Sequence, residues 1–130
     1  MRIFLLLFGL LCLPTYAIAE DDEQEVIVEY LELKPKFIIN LSEPKKYMRI
    51  NVQLMVKGED AVERITKHMP LLRHTLIMTF SGLSAEILRT KEEREKIKTK
   101  SFEVLKEALE EHANTSEGLI DVFFTEFLVQ

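Results

Sequence analysis

Strictly alternating apolar and polar positions mark the middle of the chain. Across residues 47–56, four aliphatic side chains point to one face and mostly polar side chains point to the other. This period of two is typical of a β-strand with one face in a core. A second β-rich run covers residues 119–129, but there apolar residues fall on both faces. We therefore expect this run to be a central strand, or a strand with one face kept for a partner.

The segment before the alternating strand is extended but interrupted. Alternation begins at Val26, stops at Pro35, and resumes where Phe37, Ile39 and Leu41 share one face of a short second stretch. Because proline cannot donate a hydrogen bond to a sheet ladder, we expect this segment at a sheet edge or a bulge.

Two helices are predicted directly after the alternating strand. The first begins after Gly58 with two acidic residues, which a helix N-terminus favours, and ends near His68. The second runs from Pro70 to Phe80, and Gly82 is its predicted left-handed cap. This second helix is apolar on most sides, so we expect it to be buried.

A third, amphipathic helical segment completes the predicted elements. It begins near Ser84, is restarted by a T-x-x-E capping box at Thr90, and ends at residues 114–118. Its polar face mixes both charge signs, so we expect it to lie on a sheet and not on a membrane surface. The predicted order β-β-α-α-α-β is that of an α+β domain, a small β-sheet covered by helices.

The N-terminal segment has the pattern of a secretory signal peptide. Met1-Arg2 precedes an apolar run and the small-residue sequence Ala17-Ile18-Ala19. We expect cleavage between Ala19 and Glu20. A short uncleaved anchor is the alternative, because residues 3–19 reach the lower limit for a spanning helix.

The remaining chain divides into an acidic leader, residues 20–29, and a domain, residues 30–130. Five of the first six leader residues are carboxylates, which is typical of a solvated arm.

The single cysteine, Cys12, lies in the segment expected to be removed. The mature chain therefore has no disulfide or thiolate chemistry.

Charge and motif content exclude several function classes. The 130 residues include 17 basic and 22 acidic side chains, a net charge of −5, which argues against a nucleic-acid partner. His68, His74 and His112 lack the spacing of a metal site, and no nucleophile elbow or glycine-rich phosphate loop is present. We expect a protein that is not an enzyme and that uses no metal or cofactor.

Seven short stretches follow one another along residues 30–130 in an order shared with a known family. They read Y-L-E-L-K-P with F-I-I-N-L, Y-M-R-I-N-V-Q-L, K-H-M-P-L-L-R-H, L-R-T with E-R, and the final D-V-F-F-T-E-F-L-V-Q. On these stretches the chain resembles the FliL family of flagellar basal-body-associated proteins. Members usually carry a cytoplasmic tip and a spanning helix, whereas only Met1-Arg2 precedes the apolar run here. That difference indicates a FliL-like paralogue with a signal peptide.

The resemblance implies a periplasmic domain similar to the stomatin-type (SPFH-like) fold. It also implies a protein that acts by assembly near the flagellar stator, as a homo-oligomer associated with the inner membrane, and supports motility. Flagellar stator or basal-body proteins are the implied partners, with Arg49, Arg73 and the two-sided C-terminal strand as candidate contacts. For Arg73 an internal cap or salt bridge is the alternative. The alternative function is a periplasmic binding or scaffolding module with the same fold and no flagellar role.

Overall fold

A long strand, β3 (Tyr47–Lys57), lies at the centre of an antiparallel sheet. The computed structural model describes residues 25–130, so the predicted cleavage site at Ala19 and Glu20 lies outside the described residues. The other elements are β1 (Val28–Glu32), β2 (Phe37–Asn40), α1 (Glu59–Lys67), α2 (Met69–Phe80), a 3-10 turn (Ile87–Arg89), α3 (Lys91–His112) and β4 (Leu119–Val129). The predicted α+β class is confirmed.

The order of elements differs from the predicted β-β-α-α-α-β by one strand. The interrupted segment forms two strands, and both pair antiparallel with β3: Glu32 of β1 lies opposite Gln53, and Phe37 of β2 lies opposite Ile50. Pro35 lies in the break between them. Because its nitrogen has no hydrogen, the ladder cannot continue through it, and one extended segment becomes two strands.

Strand β4 runs along the other edge of β3. Its pairing extends from Val129 opposite Met48 to Leu119 opposite Val56. Because β4 occupies that edge throughout, β1 and β2 lie end to end along the remaining edge, where the sequence predicted them. Within residues 25–130 the central strand is β3, so the expectation that β4 is central is wrong. Its second apolar face arises because Phe123 packs near Tyr30, with ring centroids 6.1 Å apart.

The helices cover one face of the sheet. The side chains of β3 that were predicted to face the core are buried, and so are Phe37 and Ile39 of β2. The ring of Phe80 of α2 joins the layers, with its centroid 6.4 Å from that of Phe37 and 6.0 Å from that of Phe124 of β4. Edge-to-face contacts of this kind are favourable beyond the apolar area that they bury.

Helix α2 is buried along one stripe only. Leu72, Leu76 and Phe80 are buried, whereas Met78 is 64% exposed and Ile77 is also exposed. The expectation of a fully buried helix is therefore wrong for the outer side of α2. Residues four apart lie on one helix face, and that face alone meets the sheet.

The capping box and the end predicted for the third segment are confirmed, but its predicted beginning near Ser84 is wrong, because a 3-10 turn at Ile87–Arg89 precedes α3, which begins at Lys91. The Thr90 hydroxyl accepts a hydrogen bond of 3.3 Å from the Glu93 N–H at the start of α3. Gly82 follows α2 with φ +78°, as its predicted capping role requires.

Across residues 25–130, no helix combines the length and apolarity needed to cross a bilayer.

Candidate protein-interaction surface

The sheet face opposite the helices carries a mixture of exposed apolar and charged side chains, and no described element covers it. We call it the open face. Tyr30 is 59% and Ile38 is 67% exposed, and Leu128 is 43% exposed. Ile38 and Leu128 lie near one end of this face and Tyr30 near the other. Exposed large apolar side chains on one face are a common feature of interaction sites.

Arg49, a predicted contact residue, lies at one end of the open face. Its neighbours across the sheet are Ile38 on β2 and Leu128 on β4. The side chain is 45% exposed, and its Nη1 lies 4.0 Å from Oε1 of Glu126, which also binds the ammonium of Lys36. The guanidinium thus has apolar neighbours on both sides and one carboxylate at the limit of ion-pair distance.

Arg73, the second predicted contact residue, makes contacts inside the domain. It lies on α2, and its Nη1 donates hydrogen bonds of 3.0 Å to the Leu33 carbonyl and 2.6 Å to the Pro35 carbonyl. Its guanidinium also lies 4.3 Å from the centroid of the Phe37 ring. The side chain thus holds the break between β1 and β2, which agrees with the internal role that the sequence left open. A partner contact at Arg73 stays a prediction.

The outer edge of β4 has backbone groups that no described strand meets. Tyr47 and Gln130 exchange two backbone hydrogen bonds of 2.9 Å. In an antiparallel ladder, hydrogen-bonded and non-hydrogen-bonded pairs alternate, so Leu128 also points its N–H and C=O towards β3. The N–H and C=O of Phe127 and Val129 therefore point outwards.

Lys98 of α3 covers the first part of that edge. Its ammonium lies 3.9 Å from the Asp121 carboxylate and 5.0 Å from the centroid of the Phe123 ring. Both partners are on the open face, whereas α3 packs on the opposite face. The lysine side chain therefore passes around the edge of β4, and residues 124–129 lie beyond it.

Among the described residues, the pKa that is shifted most is that of Glu43, which lies away from the open face. The Ala85 N–H, at 2.8 Å, and the Ser84 hydroxyl, at 2.7 Å, donate to its carboxylate and lower the pKa of Glu43 from 4.5 to about 2. Donors favour the charged form. This carboxylate fastens the loop between β2 and β3 to the segment that follows α2.

The histidines are dispersed. The Nδ1 of His68 lies 2.8 Å from the Arg64 carbonyl, and His112 lies 3.9 Å from the Glu111 carboxylate. Across the described part of the chain, no three His, Cys, Asp or Glu side chains are placed to hold a metal ion.

Sequence reasoning missed Lys98, Phe127 and Val129 as features of this surface. Lys98 was read as part of a solvated helix face, and the direction of a backbone N–H depends on pairing register, which the sequence does not show. One usable signal exists: residues 119–130 contain no lysine, arginine or proline. Natural edge strands commonly carry such residues.

The comparison with protein families decides the relationship. The family model described as flagellar basal body-associated protein FliL matches residues 30–130. The chain belongs to the FliL family. The resemblance found in the sequence is thereby confirmed, and the match covers both predicted arginines and all of β4. A domain of the FliL family thus presents the open face and the outer edge of β4.

A curated relative agrees with this assignment. The flagellar protein FliL of Aquifex aeolicus (strain VF5) is 32% identical over 108 residues, which cover 82% of this chain and 63% of that protein. The chain therefore spans less than two thirds of the length of this FliL relative.

Proposed function

We propose that this FliL family chain is a non-enzymatic accessory of the flagellar motor that assembles near the stator in the periplasm and supports motility. The observation that carries the proposal is the family match over residues 30–130. Its partners would be stator or basal-body proteins and further copies of itself, at the inner membrane. We also propose that the domain has a fold similar to the stomatin-type domain, as the family resemblance implies.

The chemistry of the open face supports a role in assembly. Aromatic residues, methionine and arginine are enriched in protein interfaces. Tyr30, Met55 and Phe123 are grouped on this face, and Arg49 lies on the same face towards its other end. We assign Arg49 the role of partner contact, because its guanidinium is exposed and, among residues 25–130, one carboxylate lies near it.

Reversal of the charge at Arg49 tests the proposal. In the flagellated source organism, Arg49→Glu is expected to reduce swimming in soft agar while changing the melting temperature of the purified chain little. The matched control is Lys100→Glu, an equal charge reversal at an exposed site on α3. Full motility of the Arg49→Glu strain, at normal protein level, would contradict the proposed contact. A large loss of stability would make Arg49 a structural residue.

Fractionation tests the proposed location. The intact mass of the native chain is expected to correspond to a start at Glu20, and the protein is expected to sediment with basal bodies. A chain found only in free periplasm, and equally abundant in cells without flagella, would favour the scaffolding module without a flagellar role.

A further inference from the structure

We infer that Arg94 and Lys98 of α3 protect the outer edge of β4, and that they prevent β4 of a second copy of this chain from pairing there. The two side chains supply to β4 the basic charge that its own sequence lacks. The inference goes beyond the proposed function and does not depend on it, because it concerns the purified chain alone.

The sequence of β4 makes its outer edge a hazard to the chain. Residues 119–130 include three phenylalanines and contain no lysine, arginine, proline or glycine. Phe127 and Val129 point their N–H and C=O groups away from β3. Apolar segments of high β-propensity at an exposed edge pair readily with further strands. Without protection, this edge would bring copies of the chain together.

Two β-bulges divide β4 into short regular stretches. The pairing with β3 leaves Ile120 and Thr125 as extra residues on β4. A bulge interrupts the hydrogen-bonded ladder and increases the local twist of the strand. Residues 121–124 and 126–129 are therefore the stretches along which a further strand could pair regularly.

Lys98 lies at the first of these stretches, on the open face. Its ammonium is 3.9 Å from the Asp121 carboxylate and 5.0 Å from the centroid of the Phe123 ring. Because the side chain passes around the edge of β4, an added strand would have to displace it or bury its charge. Burial of a charge without a full set of partners is unfavourable.

Arg94 lies at the second stretch, on the helix side of the sheet. Its guanidinium is 4.6 Å from the centroid of the Phe127 ring, and that ring faces the helices because Phe127 lies opposite the buried Ile50. The Nε of Arg94 donates a hydrogen bond of 2.7 Å to the Leu88 carbonyl, which holds the side chain in place. A strand added here would place a side chain beside Phe127 and take water away from the guanidinium.

The spacing of the two cations matches the division of β4. Residues four apart lie on one face of a helix, so α3 directs Arg94 and Lys98 to the same strand. Each regular stretch thereby has one cation, on opposite faces of the sheet. The other edge of the sheet carries Lys34, Pro35 and Lys36 in its own sequence, which are residues typical of protected edges. The edge at β4 obtains the same kind of protection from a helix.

Removal of both charges tests the inference. Arg94→Met combined with Lys98→Met keeps most of the side-chain volume in the ¹⁵N-labelled full-length chain. We expect this double variant to self-associate with rising concentration in sedimentation velocity. Amide exchange of Phe127 and Val129 should slow by about tenfold or more at the same time, the effect of enclosing an exposed amide in a hydrogen bond. The matched control is Lys96→Met combined with Lys100→Met, which removes the same charge from exposed sites on α3 and should behave as the wild type.

A further change at Val129 separates strand pairing from association of a partly unfolded chain. Val129→Pro removes an outward N–H at a position where an edge strand tolerates proline, whereas Val129→Ala keeps it. In the background of the Arg94 and Lys98 double variant, Val129→Pro is expected to restore the mass distribution of the wild type. Val129→Ala is expected to leave the association in place.

Three results would overturn the inference. The first is exchange at Phe127 and Val129 that already slows with concentration in the wild-type chain. The second is a double variant at Arg94 and Lys98 that associates no more than its control at millimolar concentration. The third is equal association with Val129→Pro and Val129→Ala, which would show that the backbone of β4 does not form the contact.

Discussion

The two edges of the sheet differ in how they end the hydrogen-bonded ladder. One edge consists of two short strands separated at Pro35, and Arg73 of α2 binds the carbonyls in that break. The other edge is β4, eleven residues that pair with β3 along nearly their whole length. The first edge is closed to further strands by its own sequence and by a clamp from the helical layer. The second keeps its outward backbone groups at Phe127 and Val129.

The comparison separates polar residues whose charged groups are held inside the domain from one whose charged group is largely exposed. Arg73 and Glu43 have their charged groups occupied by backbone and hydroxyl groups of the same domain. Arg49 lies between two exposed apolar side chains and 4.0 Å from one carboxylate oxygen. Two arginines that look alike in the sequence therefore have different surroundings.

The largest expected loss of stability comes from a substitution that disturbs the packing at the beginning of β4. Gly118 has φ +91°, and its carbonyl accepts a hydrogen bond of 2.8 Å from the Lys57 N–H. A Cβ at this position would overlap Ala61 of α1 and lie 2.8 Å from the Lys57 oxygen. We expect Gly118→Ala to lower the free energy of unfolding by about 2 to 4 kcal/mol, measured by urea denaturation.

Gly82→Ala is the matched control for this substitution. Gly82 has φ +78°, but no atom lies within 4 Å of the position that its Cβ would take. The control carries the backbone strain without the overlap, so a loss of about 1 kcal/mol is expected. Equal losses for the two variants would show that contact with α1 does not hold β4 in place.

The next largest loss of stability is expected when Arg73, which binds the carbonyls in the break between β1 and β2, is replaced. Arg73→Met removes two hydrogen bonds to carbonyls and the contact with Phe37, and it keeps most of the side-chain volume. We expect a loss of about 1 to 3 kcal/mol in urea denaturation, because hydrogen bonds of charged groups contribute about that much. Arg49→Met makes the same chemical change on the open face and should alter stability by less than about 0.5 kcal/mol. If Arg49→Met is as costly as Arg73→Met, the division of roles between the two arginines is wrong.

Sequence reasoning recovered the elements whose signal is local. The alternation through β3 and the capping box at Thr90 each depend on neighbouring residues, and both are confirmed. The break at Pro35 was also predicted, because the missing N–H of proline acts within its own strand.

Features that join distant residues were not recovered. Arg73 reaches a carbonyl 38 positions away, and Lys98 reaches Asp121 from another layer. The sequence also did not show that β1 and β2 share one edge of β3, because strand pairing is not encoded at any single position. The exposed outer side of α2 was missed because periodicity shows apolar positions and not what covers them.

The smallest expected effect is a pH dependence of stability that arises from Glu43, in the loop between β2 and β3. Hydrogen bonds from Ala85 and Ser84 lower the pKa of Glu43 to about 2 in the folded chain, from an ordinary value of 4.5. The folded state therefore binds this proton less readily than the unfolded state, and the carboxylate stabilises the fold above pH 4.5. That contribution is lost as the pH falls from 4.5 to 2.

Glu43→Gln removes this dependence. We expect the urea midpoint of the variant to lie below that of the wild type at pH 6, and the difference to shrink as the pH falls towards 2. Glu103→Gln, at an exposed site on α3, should follow the wild type at every pH. A difference between Glu43→Gln and the wild type that stays constant with pH would contradict the assigned hydrogen bonds.

Amide hydrogen exchange of four consecutive β4 residues in the free chain tests the contrast between the edges most directly. Glu126 and Leu128 point their N–H groups at β3, whereas Phe127 and Val129 point theirs outwards. We predict slow exchange at Glu126 and Leu128 and fast exchange at Phe127 and Val129. Uniformly slow exchange of all four amides in the free chain would contradict an open edge at β4.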